Sequence, residues 1–199
     1  MSTPFVPVHT ISALFAHTPK GQQLKKFFTA AFAIVAVTAG LMFAASPAQA
    51  VTAYAHLTNV HSGKCVDNPN YATGNNVVMD QWTCVSQTNE NWRFERGSSN
   101  NLLIRNQASG KCLTVLGGST ASGARVVQYT CTTVNKNGQW STTDTLAGGY
   151  SIMNANSGLC IAIESASSAN GARLIQRACN HAASASDQRF NYPYNPYSA

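Results

Sequence analysis

The sequence predicts an all-β domain made of three repeats of about 47 residues that pack around a shared axis. One observation is the spacing of the six cysteines, which form three successive pairs whose partners lie nineteen positions apart. A second is the pattern of short stretches of alternating apolar and polar residues, separated by Ser-Gly, Gly-Gly and Asn-Gly turns. A third is that no segment of residues 51–199 keeps apolar residues at helical spacing for three turns. Together these features favour short strands joined by tight turns.

Residues 1–50 predict a secretory signal peptide. Three lysines precede the apolar run FFTAAFAIVAVTAGLMFAA, and the small-residue triplet Ala-Gln-Ala follows at 48–50. A positive flank, an apolar stretch and a small-x-small cleavage site, in this order, are typical of a secretory signal. A retained transmembrane anchor is the alternative, since about 18 apolar residues can span a bilayer. Cleavage predicts a secreted, extracellular protein of residues 51–199, without membrane attachment and long enough for one domain.

The composition of residues 51–199 narrows the range of partners. Ten Lys and Arg stand against seven Asp and Glu, which leaves a net charge of +3 without a run of like charges. This scattered excess does not predict binding to nucleic acid. All six cysteines lie in this segment, and an exported chain meets oxidising conditions, so disulfides are predicted. The spacings CxxC and HxxxH are absent, which disfavours a metal site of the zinc type, and no cofactor is predicted.

The repeats predict how the cysteines pair. Six cysteines permit fifteen pairings in principle. Each bond of a pairing within repeats closes a loop that, in the chain-entropy model, contributes about 3 kcal/mol to stability. The one pairing that treats three equal repeats alike is Cys65–Cys84, Cys112–Cys131 and Cys160–Cys179.

The repeats share more than their cysteines. An Asn six residues before the first cysteine and a Ser-Gly pair at minus three and minus two recur each time. Four short strands per repeat predict about twelve in total, over repeats at about 53–98, 99–146 and 147–192. One repeat has too little apolar surface to fold alone, so a shared core is expected. Its natural members are the closing aromatic residues of the repeats, Trp92, Trp140 and Phe190.

This arrangement resembles the ricin B-type β-trefoil lectins, which are also classed as family 13 carbohydrate-binding modules. The Ser-Gly-x-Cys turns, the cysteine pairs and the closing Gln-x-Trp-like motifs carry the resemblance over residues 53–192. It implies a β-trefoil, which is a closed barrel of six strands capped by three hairpins with pseudo-threefold symmetry. The closing motif departs from the family in each repeat, with Glu90 and Gly138 in place of Gln, and Phe190 in place of Trp. The aromatic packing should survive these changes. The hydrogen bonds that the family's Gln makes are not expected at Gly138, because glycine has no side chain.

The resemblance implies a sugar site in the first repeat. In the family a carboxylate stands two residues after the first cysteine, and an aromatic platform stands two before the second. Asp67 and Trp82 occupy these positions, and Asn89 stands in the closing motif. Asp80 lies two residues before Trp82, so on a strand it points to the same face. Glu90 is a further candidate, either as a sugar contact or as a structural residue. Carboxylates and amides bind pairs of sugar hydroxyls while the aromatic ring covers the apolar face.

The other two repeats keep less of this pattern. The second repeat predicts a weak or altered site, because a hydroxyl cannot replace the two acceptor oxygens of a carboxylate. Its candidate residues are Thr114, Gln128, Tyr129 and Asn137. In the third repeat, Ala162 replaces the carboxylate and Arg177 replaces the platform. The third repeat is therefore expected to be scaffold alone.

Three alternatives to a non-catalytic, sugar-binding protein remain open at this level. A glycoside hydrolase would use Asp67 and Asp80 as its carboxylate pair. A protein-binding β-trefoil, such as a protease inhibitor or a toxin subunit, would use its loops. A calcium ion could be held by Asp67, Asp80 and Glu90, although an EF-hand pattern is absent. The sequence leaves the particular sugar and the oligomeric state open.

Overall fold

The computed structural model describes residues 53–145 and 147–198, and the predicted signal peptide lies outside them. The strands form one sheet of fourteen members. They are β1 (Ala55–His56), β2 (Thr58–Asn59), β3 (Cys65–Asp67), β4 (Val77–Val78), β5 (Asp80–Trp82), β6 (Asn91–Arg96), β7 (Leu102–Asn106), β8 (Cys112–Val115), β9 (Val126–Tyr129), β10 (Trp140–Asp144), β11 (Tyr150–Asn154), β12 (Cys160–Ile163), β13 (Ala172–Arg177) and β14 (Phe190–Asn191).

The all-β prediction is confirmed. One residue separates β1 from β2 and β4 from β5, so counting each pair as one strand gives four strands per repeat and twelve in all. Within the described residues the only helical elements are seven 3-10 turns, none of which is long enough to cross a membrane. These turns are Pro69–Tyr71, Thr88–Glu90, Leu116–Gly118, Lys136–Gly138, Glu164–Ala166, Ser186–Gln188 and Pro196–Ser198.

The repeats interlock through strand pairing. Each contains an antiparallel hairpin that starts at its first cysteine: β3 with β5, β8 with β9 and β12 with β13. Between repeats, β4 pairs with β9, β5 pairs with β13, and a single bridge joins Arg125 to Ile175. The pairing of β11 with β12 closes part of the sheet on itself. Each repeat thus contacts both others, and closure leaves fewer exposed strand edges.

The predicted shared core is present. Trp92, Trp140 and Phe190 are fully buried in one apolar cluster with side chains from all three repeats. The indole Nε1 of Trp92 donates to the carbonyl of Val66 at 2.8 Å, and that of Trp140 donates to the carbonyl of Leu113 at 3.0 Å. A buried indole N–H needs such a partner. Phe190 has no N–H, so the third repeat keeps the packing without this bond.

A buried glutamine three residues before each second cysteine ties neighbouring repeats together. Its Oε1 accepts a hydrogen bond from the Ser of the same repeat's Ser-Gly turn at 2.7 Å in every copy. Its Nε2 donates to two backbone carbonyls of the adjacent repeat. These bonds run from each repeat to another one. Because an unpaired buried amide is costly, they fix the relative position of the repeats. The three residues are Gln81, Gln128 and Gln176.

The predicted disulfides are all formed. Cys65–Cys84, Cys112–Cys131 and Cys160–Cys179 each span nineteen positions. Each bond joins the start of the repeat's hairpin to the segment that follows it. The same staple is therefore repeated three times.

Candidate functional site

The hairpin β3–β5 brings the main predicted residues of the first repeat together. Cys65 lies opposite Trp82, and Asp67 lies opposite Asp80 in the antiparallel register. Directly opposed residues share a face, as do residues two apart on one strand, so Asp67, Asp80 and Trp82 point to the same side. The Trp82 ring is 47% exposed, although it is a large apolar side chain. An exposed aromatic ring beside two carboxyl groups has the composition of a sugar-binding surface.

The two carboxyl groups form a partly desolvated pair. Burial raises the pKa of Asp80 to about 7, and the neighbouring Asp67 charge adds to the rise. Burial also raises the pKa of Asp67 to about 6, and the Glu90 charge adds to it, while a hydrogen bond from Asn89 opposes it. Two like charges in a poorly solvated place cannot both form easily. Near neutral pH the pair is therefore poised to hold one proton.

Hydrogen-bonding capacity is left over at this pair. Asn89 Nδ2 donates to Asp67 Oδ1 at 2.5 Å, which fixes the carboxylate against the closing turn of the repeat. Asn89 Oδ1 and Asp80 Oδ1 are buried and have no partner within the described structure. Buried acceptors without protein partners are rare in folded proteins, and water or a ligand can satisfy them. Hydroxyl donors from a ligand would satisfy both atoms.

Glu90 serves the scaffold at the edge of the site. Its side chain is 1% exposed, and Oε2 accepts a hydrogen bond from the backbone N–H of Val85 at 2.7 Å. In the third repeat, Gln188 accepts the equivalent bond from Asn180 N at 2.8 Å. Glu90 therefore makes the bond in which the family's Gln accepts, but a carboxylate cannot make the bond in which that Gln donates. In the second repeat, Gly138 offers no such bond, and the adjacent Gln139 instead donates to the carbonyl of Thr133 at 2.9 Å.

The predicted residues of the first repeat line a cleft of about 580 Å³. Five further residues that were not predicted also line it, and two of them, Tyr71 and Gln87, contact each other. Tyr71 is 45% exposed, and its hydroxyl donates to Gln87 Oε1 at 2.5 Å. The signal was available in the sequence, because Tyr71 is six residues after its cysteine, where the other repeats have Gly118 and Ala166. An aromatic residue at one of three equivalent turn positions is not required by the shared scaffold and indicates a role specific to the first repeat.

The second repeat has a smaller, neutral cavity of about 320 Å³. Its lining contains Thr114, Tyr129 and Asn137 but no charged residue among the described ones. Thr114 Oγ1 already donates to the carbonyl of Cys112 at 3.2 Å. Its hydroxyl can therefore accept a hydrogen bond from a ligand but has no further proton to donate. Gln128 is not brought to this cavity, because its side chain is buried and holds the neighbouring repeat.

The third repeat fills the same place with an ion pair. Ala162 is fully buried where the first repeat has Asp67. Arg177 stands at the platform position, and its Nη2 lies 2.9 Å from Asp187 Oδ2. Asp187 occupies the place of Asn89, so the guanidinium covers the closing turn at the position that corresponds to the cleft of the first repeat.

The three carboxylates considered for calcium do not form a metal cluster. Across 53–145 and 147–198, one set of three ligand atoms lies within 4.8 Å of one another, and it consists of His56, Cys65 and Cys84. Its two cysteines are joined in a disulfide, so they are not free thiolates. Asp67 and Asp80 face each other, while the Glu90 carboxylate is held by Val85.

The family model for the ricin-type beta-trefoil lectin domain-like family matches residues 41–129, 88–177 and 136–192. These overlapping matches cover most of the chain, and the chain belongs to this family. A comparison with curated protein sequences finds no significant match.

Solved structures share the same fold. The designed three-fold symmetric protein ThreeFoil matches with a TM-score of 0.64 and 30% identity, over 69% of this chain and 95% of that one. An exo-beta-1,3-galactanase from Clostridium thermocellum matches with a TM-score of 0.64 and 27% identity, over 70% of this chain but 29% of the enzyme. The C-half of the earthworm R-type lectin, solved with GalNAc, matches with a TM-score of 0.54 and 11% identity, over 70% and 97%. The β-trefoil is thereby confirmed, and the family supports carbohydrate binding in general.

Proposed function

We propose that the protein is a secreted, non-catalytic lectin that binds neutral sugars at the first repeat. The observation that carries the proposal is the Asp67–Asp80 pair, with an unpaired buried oxygen on Asp80, beside the exposed ring of Trp82. The ring would cover the apolar face of a pyranose, and the carboxylate and amide oxygens would accept hydrogen bonds from its hydroxyls. The three disulfides suit a protein that matures under oxidising conditions.

The carboxyl geometry favours binding over glycoside hydrolysis. A hydrolase places its two carboxyl groups on either side of the scissile bond, about 5 to 10 Å apart. Asp67 and Asp80 lie on neighbouring strands of one hairpin and share its face, so both approach a ligand from the same side. The Glu90 carboxylate is engaged with the backbone and cannot supply the opposite side. The galactanase match does not change this, because the chain spans less than a third of that enzyme.

The neutral cavity of the second repeat is proposed as a weaker site. Tyr129 is 40% exposed and offers a platform, and Asn137 offers an amide. With Thr114 in place of the carboxylate, the strongest hydrogen bonds to hydroxyls are missing. Affinity there is expected to be lower than at the first repeat.

Substitution of Asp67 tests the proposal. A glycan screen that includes galactosides, GalNAc and xylan-type chains would identify a ligand, and calorimetry would give its Kd. Asp67→Ala is expected to raise that Kd about 10- to 100-fold, because hydrogen bonds to a charged acceptor are lost. Thr114→Ala, the equivalent change in the second repeat, is the matched control and should leave the tighter Kd unchanged. Absence of binding to every glycan at millimolar concentration would refute the proposal, and release of reducing sugar would favour the hydrolase.

A further inference from the structure

Tyr71 is an exposed aromatic ring in a backbone conformation that favours glycine. The turn Pro69–Tyr71 holds Asn70 and Tyr71 at φ values of 54° each. The equivalent residues in the second repeat are Gly117 and Gly118, at 61° and 66°. Glycine takes this left-handed region freely, whereas a bulky side chain rarely does. The scaffold therefore requires the turn, but it does not require a tyrosine there.

The Tyr71 ring also contributes little to the stability of the fold. It is 45% exposed and lies outside the buried apolar cluster. Its hydroxyl donates to Gln87, which belongs to the segment that leads into the closing turn of the same repeat. This bond joins two walls of the cleft and holds the ring over it. The third repeat holds Ser165 and Ala166 at φ values of 55° and 49° in the same turn, so what distinguishes the first repeat is the aromatic ring rather than the backbone conformation.

The order of residues along the hairpin separates the two rings of the cleft. Trp82 lies opposite Cys65, and the Asp67–Asp80 pair comes two residues further along. Tyr71 follows Asp67 by four residues, in the turn beyond the end of β3. The carboxyl pair therefore lies between Trp82 and Tyr71. A sugar ring stacked on Trp82 with its hydroxyls at the carboxyl pair leaves Tyr71 for the next residue of a chain.

We propose that Tyr71 and Gln87 form a second subsite, so that the cleft recognises a chain of at least two linked sugars rather than a single one. This inference rests on the proposed function. In the second repeat Gly118 stands in place of the tyrosine, and the surface that it lines contains no aromatic ring among the described residues. Tyr71 supplies the second stacking face, and the Gln87 amide supplies donors to the hydroxyls of the second sugar.

The test compares single sugars with their linked dimers. The probes are galactose with β-1,3-galactobiose and xylose with xylobiose, measured by calorimetry on the wild-type protein and on Tyr71→Asn. Asparagine accepts the left-handed conformation but removes the ring. For the sugar that binds, the wild type is expected to prefer the dimer about tenfold, the effect of one further aromatic contact. Tyr71→Asn should reduce this preference to about twofold or less while the Kd for the single sugar stays unchanged.

Two further variants keep the result interpretable. Tyr71→Phe retains the ring and should keep most of the preference for the dimer. Ala166→Asn makes the equivalent change in the third repeat, where φ is 49°, and should leave all binding unchanged. A single sugar that binds as well as its dimer in the wild type, or a preference that survives Tyr71→Asn, overturns the subsite and leaves the proposed function intact. Failure of these probes together with every glycan of the wider screen counts instead against the proposed function.

Discussion

The first and third repeats carry the same disulfide and the same buried glutamine, yet they differ at every position of the proposed sugar site. In the first repeat, Asp80 and Asn89 leave unpaired acceptor oxygens in an open cleft. In the third repeat, Ala162 removes the carboxylate, and Arg177 covers the closing turn by pairing with Asp187. Scaffold positions are therefore kept in all repeats, while site positions vary one repeat at a time. Threefold symmetry makes this possible, because a repeat without a sugar site still contributes to the shared core and to stability.

The largest contrast concerns two tryptophans. Trp140 is buried in the shared core, whereas Trp82 is half exposed at the cleft. Trp140→Ala should lower the free energy of unfolding by about 4 kcal/mol, because a large buried ring leaves a cavity. Trp82→Ala should lower it by only about 1 to 2 kcal/mol, because half of the ring is already in solvent, while weakening sugar binding at least about tenfold. Urea denaturation and calorimetry would measure these effects. Equal destabilisation by the two changes would make Trp82 a structural residue.

A second, smaller difference is the response of the first repeat to pH. In the unfolded chain an Asp titrates near pH 3.9, whereas the pKa of Asp80 is raised to about 7 in the folded protein. The folded state therefore holds more protons between about pH 4 and pH 7, and stability falls as pH rises through this range. The loss of stability is absent below about pH 4 and complete above about pH 7. After allowance for the partial exposure of Asp80, it amounts to about 2 kcal/mol.

Asp80→Asn isolates this contribution. The variant should lose the part of the fall in stability that comes from Asp80, while the smaller fall caused by the raised pKa of Asp67 remains. It should be the more stable protein at pH 8. Hydrogen bonds from Arg105 and Arg93 lower the pKa of Glu95 in spite of its burial, which gives an opposite dependence at low pH. That dependence is common to both proteins, so it cancels in their difference. Unfolding curves that shift in parallel with pH would show that Asp80 titrates as an ordinary carboxyl group.

The sequence predicted the scaffold well because the scaffold repeats. Three equal cysteine spacings predicted the disulfides, and the closing aromatics predicted the shared core. Asp67 and Trp82 were predicted from the family resemblance, and Asp80 was predicted because alternation on a strand places it on the same face as Trp82. Gln128 was predicted to be a site residue because it is adjacent to Tyr129. Its counterparts Gln81 and Gln176 instead indicate a structural role common to the three repeats.

Features without a repeat were harder to predict. Tyr71 lies in a turn, and its importance depends on a positive φ that sequence alternation does not show. The raised pKa values of Asp67 and Asp80 depend on burial, which the strand pattern alone does not give. Val127 and Ile175 stand at the positions of Asp80 in the other repeats, so comparison of the three copies reveals that a carboxyl group replaced an aliphatic side chain.

The smallest expected effect concerns the ion pair that fills the third repeat. The Asp187 side chain is almost fully buried, so Arg177→Ala would leave its carboxylate without the charge that compensates it. A loss of about 1 to 2 kcal/mol in the free energy of unfolding is expected at pH 7, with no change in sugar binding at the first repeat. Arg173→Ala is the matched control. Its ion pair with Glu164, at 3.7 Å, is exposed on both sides, and removal should cost no more than about 0.5 kcal/mol. Equal losses in the two variants would show that Arg177 contributes no more than an ordinary surface charge, and a weaker sugar Kd in Arg177→Ala would place part of the site in the third repeat.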